Sequence, residues 1–286
     1  MGAADVVPGF SGGTVALVAG VYDRLIAAVS GAAGLVPLAL RGRWREVPAA
    51  VRAVDLPFLV TLLAGLAAAA ATLAGPLERL LDEQPVVMSA LFLGLVLGAA
   101  VVARHRLRAP RAAHLALAGA AAIVTAGVLG LRPVPDGDPG LAFLALAGAI
   151  GVCAMILPGV SGSFLLLLLG AYEPVIAAIA ARDLGTLAVV GAGIVTGLAL
   201  FARLLDRLLR RHHDTVLALL IGLMVGSARV LWPWPSGSGV GDPALAAPGA
   251  QAGAAALIGL AAFLAVVGLE ALARRATWPA RTPSAG

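Results

Sequence analysis

Six stretches of this chain are apolar enough, and long enough, to cross a bilayer. They are residues 56–76, 86–103, 112–131, 184–202, 215–232 and 251–272, and each carries at most one ionisable side chain. A helix rises about 1.5 Å per residue, so runs of this length match a hydrocarbon layer about 30 Å thick. With 60% hydrophobic and 12% charged residues, the chain has no soluble core large enough to hide its apolar surface. Lipid is therefore its solvent, and no segment is polar enough to form a soluble domain. Two further apolar regions, 1–29 and 141–181, are interrupted at Pro8-Gly9 and Pro158-Gly159.

The charges set the topology. All 20 basic residues are Arg, and most sit in four clusters between the runs. These clusters are Arg41/Arg43/Arg45/Arg52, Arg104/Arg106/Arg108/Arg111, Arg203/Arg207/Arg210/Arg211 and Arg274/Arg275/Arg281. Cytoplasmic loops of membrane proteins carry this Arg excess. The same clustering argues against a nucleic-acid-binding stripe, despite a net charge of +5. The segments 78–83 and 136–138, with Asp242, are acidic or mixed and face outward on this reading. The six spans alternate between the two sides only if each broken region enters and leaves on one side. Both broken regions are thus expected to be re-entrant hairpins, and both termini cytoplasmic. The 30–55 stretch, with Trp44 among its Arg residues, reads as an interfacial amphipathic helix. Residues 274–286 read as a cytoplasmic tail, and the first residues lack the basic start of a cleavable signal peptide.

The chain repeats itself. Residues 8–28 and 158–178 share ten of 21 positions, including Pro, Gly, Ser, Gly, the later Gly, and Tyr. At a shift of 128, Asp55-Leu56 matches Asp183-Leu184, and Gly94 and Gly98 match Gly222 and Gly226. The expected fold is all-α: two repeats, 1–131 and 141–273, each one re-entrant hairpin followed by three spans. Three spans are an odd number, so the second copy lies upside down relative to the first. Inverted repeats with broken helices at the midplane are the architecture of secondary transporters. The first hairpin has a much shorter leading arm than the second. Either the two differ, or the reading frame starts further upstream; the second is the expectation.

The breaks carry the chemistry. Pro ends the incoming arm, because it lacks an N–H and clashes with the preceding turn. Gly allows a tight turn, and Ser11 and Ser161 are good N-caps for the outgoing helix. A helix start inside the membrane presents free N–H groups and partial positive charge, which suit a phosphate. The candidate phosphate-binding residues are Gly9, Ser11, Gly12, Gly13 and Thr14 in the first break, and Gly159, Ser161, Gly162 and Ser163 in the second. The plainer alternative is that the two breaks pack on each other, satisfied by hydroxyls and water. Asp5, Tyr22, Asp23, Tyr172 and Glu173 are candidates for ion coupling or gating, against a simpler role as terminal or interfacial residues. The GxxxG pairs at Gly94/Gly98 and Gly222/Gly226 read as helix-packing sites, and Arg229 as a snorkelling side chain. The four histidines, in or beside Arg-rich loops, read as solvated rather than ligating. Cys153 is the only cysteine, so no internal disulfide or thiolate metal site is possible. No metal or cofactor is called for.

The segments from Gly2 to Thr14 and Gly20 to Ile26, with Leu157 to Ser163 and Gly170 to Pro174, resemble the paired signatures of the bacterial polyprenyl-phosphate transporter family. The resemblance covers essentially the whole chain. It implies translocation of undecaprenyl phosphate across the cytoplasmic membrane, returning a carrier lipid for cell-envelope synthesis. The implied partners are the lipid phosphate, the bilayer and a coupling cation, H+ or Na+; oligomeric state is not implied. A membrane polyprenyl-diphosphate phosphatase is one rival, since such enzymes also use re-entrant hairpins. They carry Arg after the Ser of the break, however, where this chain has Gly12 and Gly162. A transporter of a small soluble anion is a second rival, and a non-transporting scaffold a third.

Overall fold

The computed structural model describes residues 1–2, 11–131, 139–234, 245–249 and 251–276. All regular structure among the described residues is helical. Past the undescribed residues 3–10, the first helices are α1 (Gly12–Val18) and α2 (Tyr22–Ala33). The small helices α3 (Leu35–Leu40) and α4 (Val47–Ala53) lead to three long ones: α5 (Leu56–Glu83), α6 (Pro85–Arg104) and α7 (Ala112–Val128). The second half follows with α8 (Leu141–Ile156), α9 (Gly162–Leu168), α10 (Tyr172–Ala181), α11 (Leu184–Arg211), α12 (His213–Ser227) and α13 (Ala252–Ala276).

Among the described residues, four helices have apolar stretches of 18 residues or more: α5, α6, α11 and α13. α7 and α12 are 17 and 15 residues long and stop short of the ends of the apolar runs they overlap. α7 gives way to a turn at Leu129–Gly130, and α12 to successive turns from Ala228 onward. The expected single interfacial helix is two pieces. Gly42 at φ +66° turns the chain after α3, and Pro48 sits in the first turn of α4. The apolar stretch that follows each Pro-Gly break is also two helices rather than one. Gly20 at φ +75° and Gly170 at φ +68° separate α1 from α2 and α9 from α10, and α9 and α10 meet at 106°. A left-handed backbone at these bends suits Gly, which has no Cβ to clash.

Element boundaries recur at the spacing of the sequence repeat. α1 and α9 are both seven residues long, with N-caps Ser11 and Ser161. α5 and α11 are both 28 residues long, and each begins at a capping carboxylate, Asp55 or Asp183. Contacts recur as well. The GxxxG of α6 lies on α13, where a Cβ at Gly94 would fall 2.0 Å from the Gly259 carbonyl. That of α12 lies on α7, where a Cβ at Gly222 would fall 2.4 Å from the Ala118 carbonyl. α8 packs on α11 through Gly193 and Gly197, against Ala145 and Ala149.

The best-buried cluster joins α1, α2, α6, α11 and α12 around Ile26, Val96, Leu220 and Met224. Ile123, Leu184, Leu257 and Leu269 point outward and are more than two-thirds exposed, as lipid-facing side chains would be.

Candidate functional site

The two breaks meet. Ser11 caps α1 by accepting from the Gly13 amide at 3.1 Å, and its hydroxyl donates to the Met155 carbonyl near the end of α8 at 3.3 Å. Thr14 Oγ1 accepts the Gly159 amide of the second break at 3.0 Å. Tyr22 donates to the Ile156 carbonyl at 3.3 Å. Ser11, Thr14 and Tyr22 are at most 2% exposed. Carbonyls that α8 leaves unpaired at its C-terminus are thus taken up by the Ser11 and Tyr22 hydroxyls.

Close approach requires glycine here. A Cβ on Gly13 would fall 2.8 Å from the Ile156 carbonyl, and one on Gly162 would fall 2.5 Å from the Gly151 carbonyl. Gly159 has φ +82°, and its Cβ would fall 2.7 Å from the Met224 Cα on α12. Pro158 is fully buried beside it. Ser227 is also fully buried, and its hydroxyl donates to the Met224 carbonyl.

The second break differs in exposure. Ser161 accepts the Phe164 amide at 3.4 Å, and its hydroxyl lies 2.9 Å from that of Ser163. Ser161 is half-buried and Ser163 exposed. Ser11 and Thr14, which follow the first break, are closed over by protein partners, while Ser161 and Ser163 keep two hydroxyls within reach of their surroundings.

Of the sequence candidates, the structure brings Ser11, Gly13 and Thr14 against the segment from Met155 to Gly159 that forms the second break, and Gly12 is buried beside them. Gly9 and Asp5 lie outside the described residues. The two Tyr-acid pairs do not behave alike. Tyr22 is buried in the contact between the breaks, whereas Tyr172 is half-buried and Glu173 exposed. Asp23 faces His213 at 3.7 Å.

His213 corrects the solvated-loop expectation. Its side chain is 15% exposed, and its Nδ1 lies 3.1 Å from Asp214. The Asp214 carboxylate also accepts the Arg108 and Ala109 amides at 3.0 and 2.7 Å. Those backbone bonds are the main reason its pKa falls to about 2, with smaller help from His213. Arg106 departs from a loop role as well. It donates to the Val18 carbonyl at 2.9 Å, capping the end of α1, and its Nε is buried without a partner among the described residues. The contacts of Asp214 with Arg108 and Ala109, of Arg106 with Val18 and of Asp23 with His213 had no cue in the sequence, because they join positions far apart in the chain. Arg229 lies against Gly130 at the end of α7. No group of three metal-ligating side chains occurs among the described residues.

The helices and crossed breaks define a multi-pass membrane protein whose lipid-exposed bundle holds two broken elements against each other at its centre. Residues 1–242 match the family model described as "VCA0040-like: Undecaprenyl phosphate translocase-like", and the chain belongs to that family. A polyprenyl-phosphate transporter of Vibrio cholerae is 38% identical over 236 residues, covering 82% of this chain and 75% of that protein. One of Staphylococcus aureus is 28% identical over 250 residues, covering 82% and 83%. No solved structure matches the chain.

Proposed function

We propose that this protein moves polyprenyl phosphate, of the undecaprenyl phosphate type, across the bacterial cytoplasmic membrane. The observation that carries the reading is the pair of crossed breaks, one closed and one open. A phosphate in hydrocarbon without donors costs far more than a transporter can supply, so its path needs hydroxyls and amide N–H groups in place. The exposed hydroxyls of Ser161 and Ser163 are the first to meet the head group. When the breaks part, Ser11, Thr14 and the amides of Gly12, Gly13, Gly159 and Gly162 exchange protein partners for phosphate oxygens. The isoprenoid tail stays in lipid throughout.

The two repeats, 1–131 and 141–273, then act as inverted halves that rock about the breaks, with both termini in the cytoplasm. Recurring helix lengths, caps and GxxxG contacts support this arrangement. A cation gradient, H+ or Na+, biases the direction, with Tyr22 and Asp23 at the moving junction. No enzymatic step is assigned: Gly12 and Gly162 stand where a phosphatase of this kind holds an Arg clamp.

The test is uptake of undecaprenyl phosphate into proteoliposomes, with phosphate release assayed in parallel. Wild type moves the lipid without releasing phosphate, and the Ser11→Ala/Ser161→Ala variant loses most of that movement. Absence of movement under every imposed gradient would sink the proposal. Phosphate release from the diphosphate lipid would revive the enzyme reading.

A further inference from the structure

A second polar feature lies away from the breaks, at the C-terminal end of α11. Arg203, Arg207, Arg210 and Arg211 fall on one helical face, spaced by four, three and one residues. With Asp206 and Ser30, the latter from α2, they line a cavity of about 530 Å³. Two of the arginines are already held. Arg203 donates to the Ala33 carbonyl at the end of α2, which fixes the opposite wall. Arg210 pairs with Asp206 at 3.0 Å, which neutralises the cavity's one carboxylate. Arg207 and Arg211 make no hydrogen bond or ion pair with any described residue.

The matching positions of the first copy carry a different charge. Gly75, Arg79, Asp82 and Glu83 stand where α11 has Arg203, Arg207, Arg210 and Arg211, and Glu78 matches Asp206. One end of the repeated helix is basic and its counterpart is acidic. A general helix-end preference would favour cations at both C-termini, so the asymmetry needs another cause. Positive-inside bias supplies the sign, but not the convergence on a walled cavity.

We infer that this cavity is a docking site for the phosphate monoester head of a lipid, on the side that the Arg clusters assign to the cytoplasm. A monoester carries about −1.5 to −2 at neutral pH, and two free planar guanidinium forks match its oxygens in bidentate fashion. The outer counterpart, being acidic, repels the same group. The head is therefore received and held on one side only, which gives the transport path a preferred end. The lipid identity rests on the function proposed above; the anion cavity does not.

Full-length protein in zwitterionic nanodiscs is titrated with farnesyl phosphate. Arg207→Gln/Arg211→Gln should bind it roughly tenfold more weakly, the loss of one good charge-assisted contact. Arg45→Gln/Arg52→Gln removes equal charge from the same side outside the cavity and should bind within about twofold of wild type. Equal loss in both double variants, or none in either, overturns the site. Equal competition by phosphatidylglycerol would make it a bilayer-lipid site, and equal affinity for inorganic phosphate a soluble-anion site; either overturns the monoester-lipid assignment. The transport assay of the serine variant is separate: wild type that binds farnesyl phosphate through Arg207 and Arg211, yet moves no lipid, would refute the proposed function and leave the cavity standing.

Discussion

Gly159→Ala tests whether the crossing of the breaks holds the bundle together. The residue sits at φ +82°, and an added Cβ would lie 2.7 Å from the Met224 Cα and 3.0 Å from its amide nitrogen. A left-handed backbone costs an L-residue about 1–2 kcal/mol. Both clashing atoms are backbone, so no rotamer relieves them; α12 or the break must move, at about 1–3 kcal/mol. Movement also strains the Gly159 amide's bond to Thr14, buried and 3.0 Å long, at about 1 kcal/mol. The expected loss is therefore about 3–6 kcal/mol, large against ordinary protein stability.

The control is Gly42→Ala. Gly42 has φ +66°, but nothing lies within 4 Å of its added Cβ, so only the backbone term of about 1–2 kcal/mol remains. Unfolding by SDS in mixed micelles reads both variants against wild type. A Thr14→Val/Gly159→Ala double variant completes a cycle and should fall short of additivity by about 1 kcal/mol, because both changes remove one bond. If Gly159→Ala costs no more than Gly42→Ala, the crossed-break geometry is wrong.

Two further predictions use the same unfolding assay. Gly94→Val and Gly222→Val put a Cβ 2.0 Å and 2.4 Å from facing carbonyls and should each cost at least about 3 kcal/mol, beyond usual overpacking, while Gly65→Ala and Gly119→Ala, with nothing within 4 Å, should stay within about 1 kcal/mol. Asp214 has a depressed pKa of about 2, so its contribution is present above the ordinary carboxylate range and is lost as pH falls from about 4 toward 2. Asp214→Asn should lose about 1 kcal/mol at neutral pH, a solvent-screened value, and wild-type stability should converge on the variant's across that acid window; a constant gap between the two curves down to pH 2 would contradict this.

Much of the architecture was legible. Apolar run length located α5, α6, α11 and α13, because only lipid permits such runs. The repeat located the Ser11/Ser161 caps, and it paired Asp55 with Asp183, which the structure shows to be caps as well. Gly20 and Gly170 were among the shared residues, yet the bends they make went unread. A Gly inside an apolar run looks like a helix-packing residue until its positive φ is seen. Gly42 and Pro48 carried the same kind of punctuation in the interfacial stretch. The contact between the breaks was beyond sequence reading, because its acceptors are the Met155 and Ile156 carbonyls, and a backbone carbonyl has no residue identity. The clustering of His213, Asp23 and Asp214 joins the start of α2 to the start of α12, some 190 positions apart, with no periodicity to announce it.

The unequal exposure of the two breaks yields the sharpest test of motion. In a Cys153→Ala background, which removes the only native thiol, a cysteine is placed at Ser11, Ser161 or Ser163 in turn. Ser11 is 2% exposed and bonded to both Gly13 and Met155, so Ser11→Cys should resist a small water-soluble maleimide. Ser163 is exposed, so Ser163→Cys should react readily, with Ser161→Cys between them. Transport by parting of the breaks requires that this order change. Adding undecaprenyl phosphate should raise the rate at Ser11→Cys and lower it at Ser163→Cys, because the phosphate replaces the Thr14–Gly159 contact while covering the second break. Thr14→Val should raise the Ser11→Cys rate without lipid, since it removes the hydroxyl that ties the breaks together. Labelling at Ser11→Cys that is unchanged by both lipid and Thr14→Val would mean that the crossed breaks are a rigid structural knot, and that the lipid passes elsewhere.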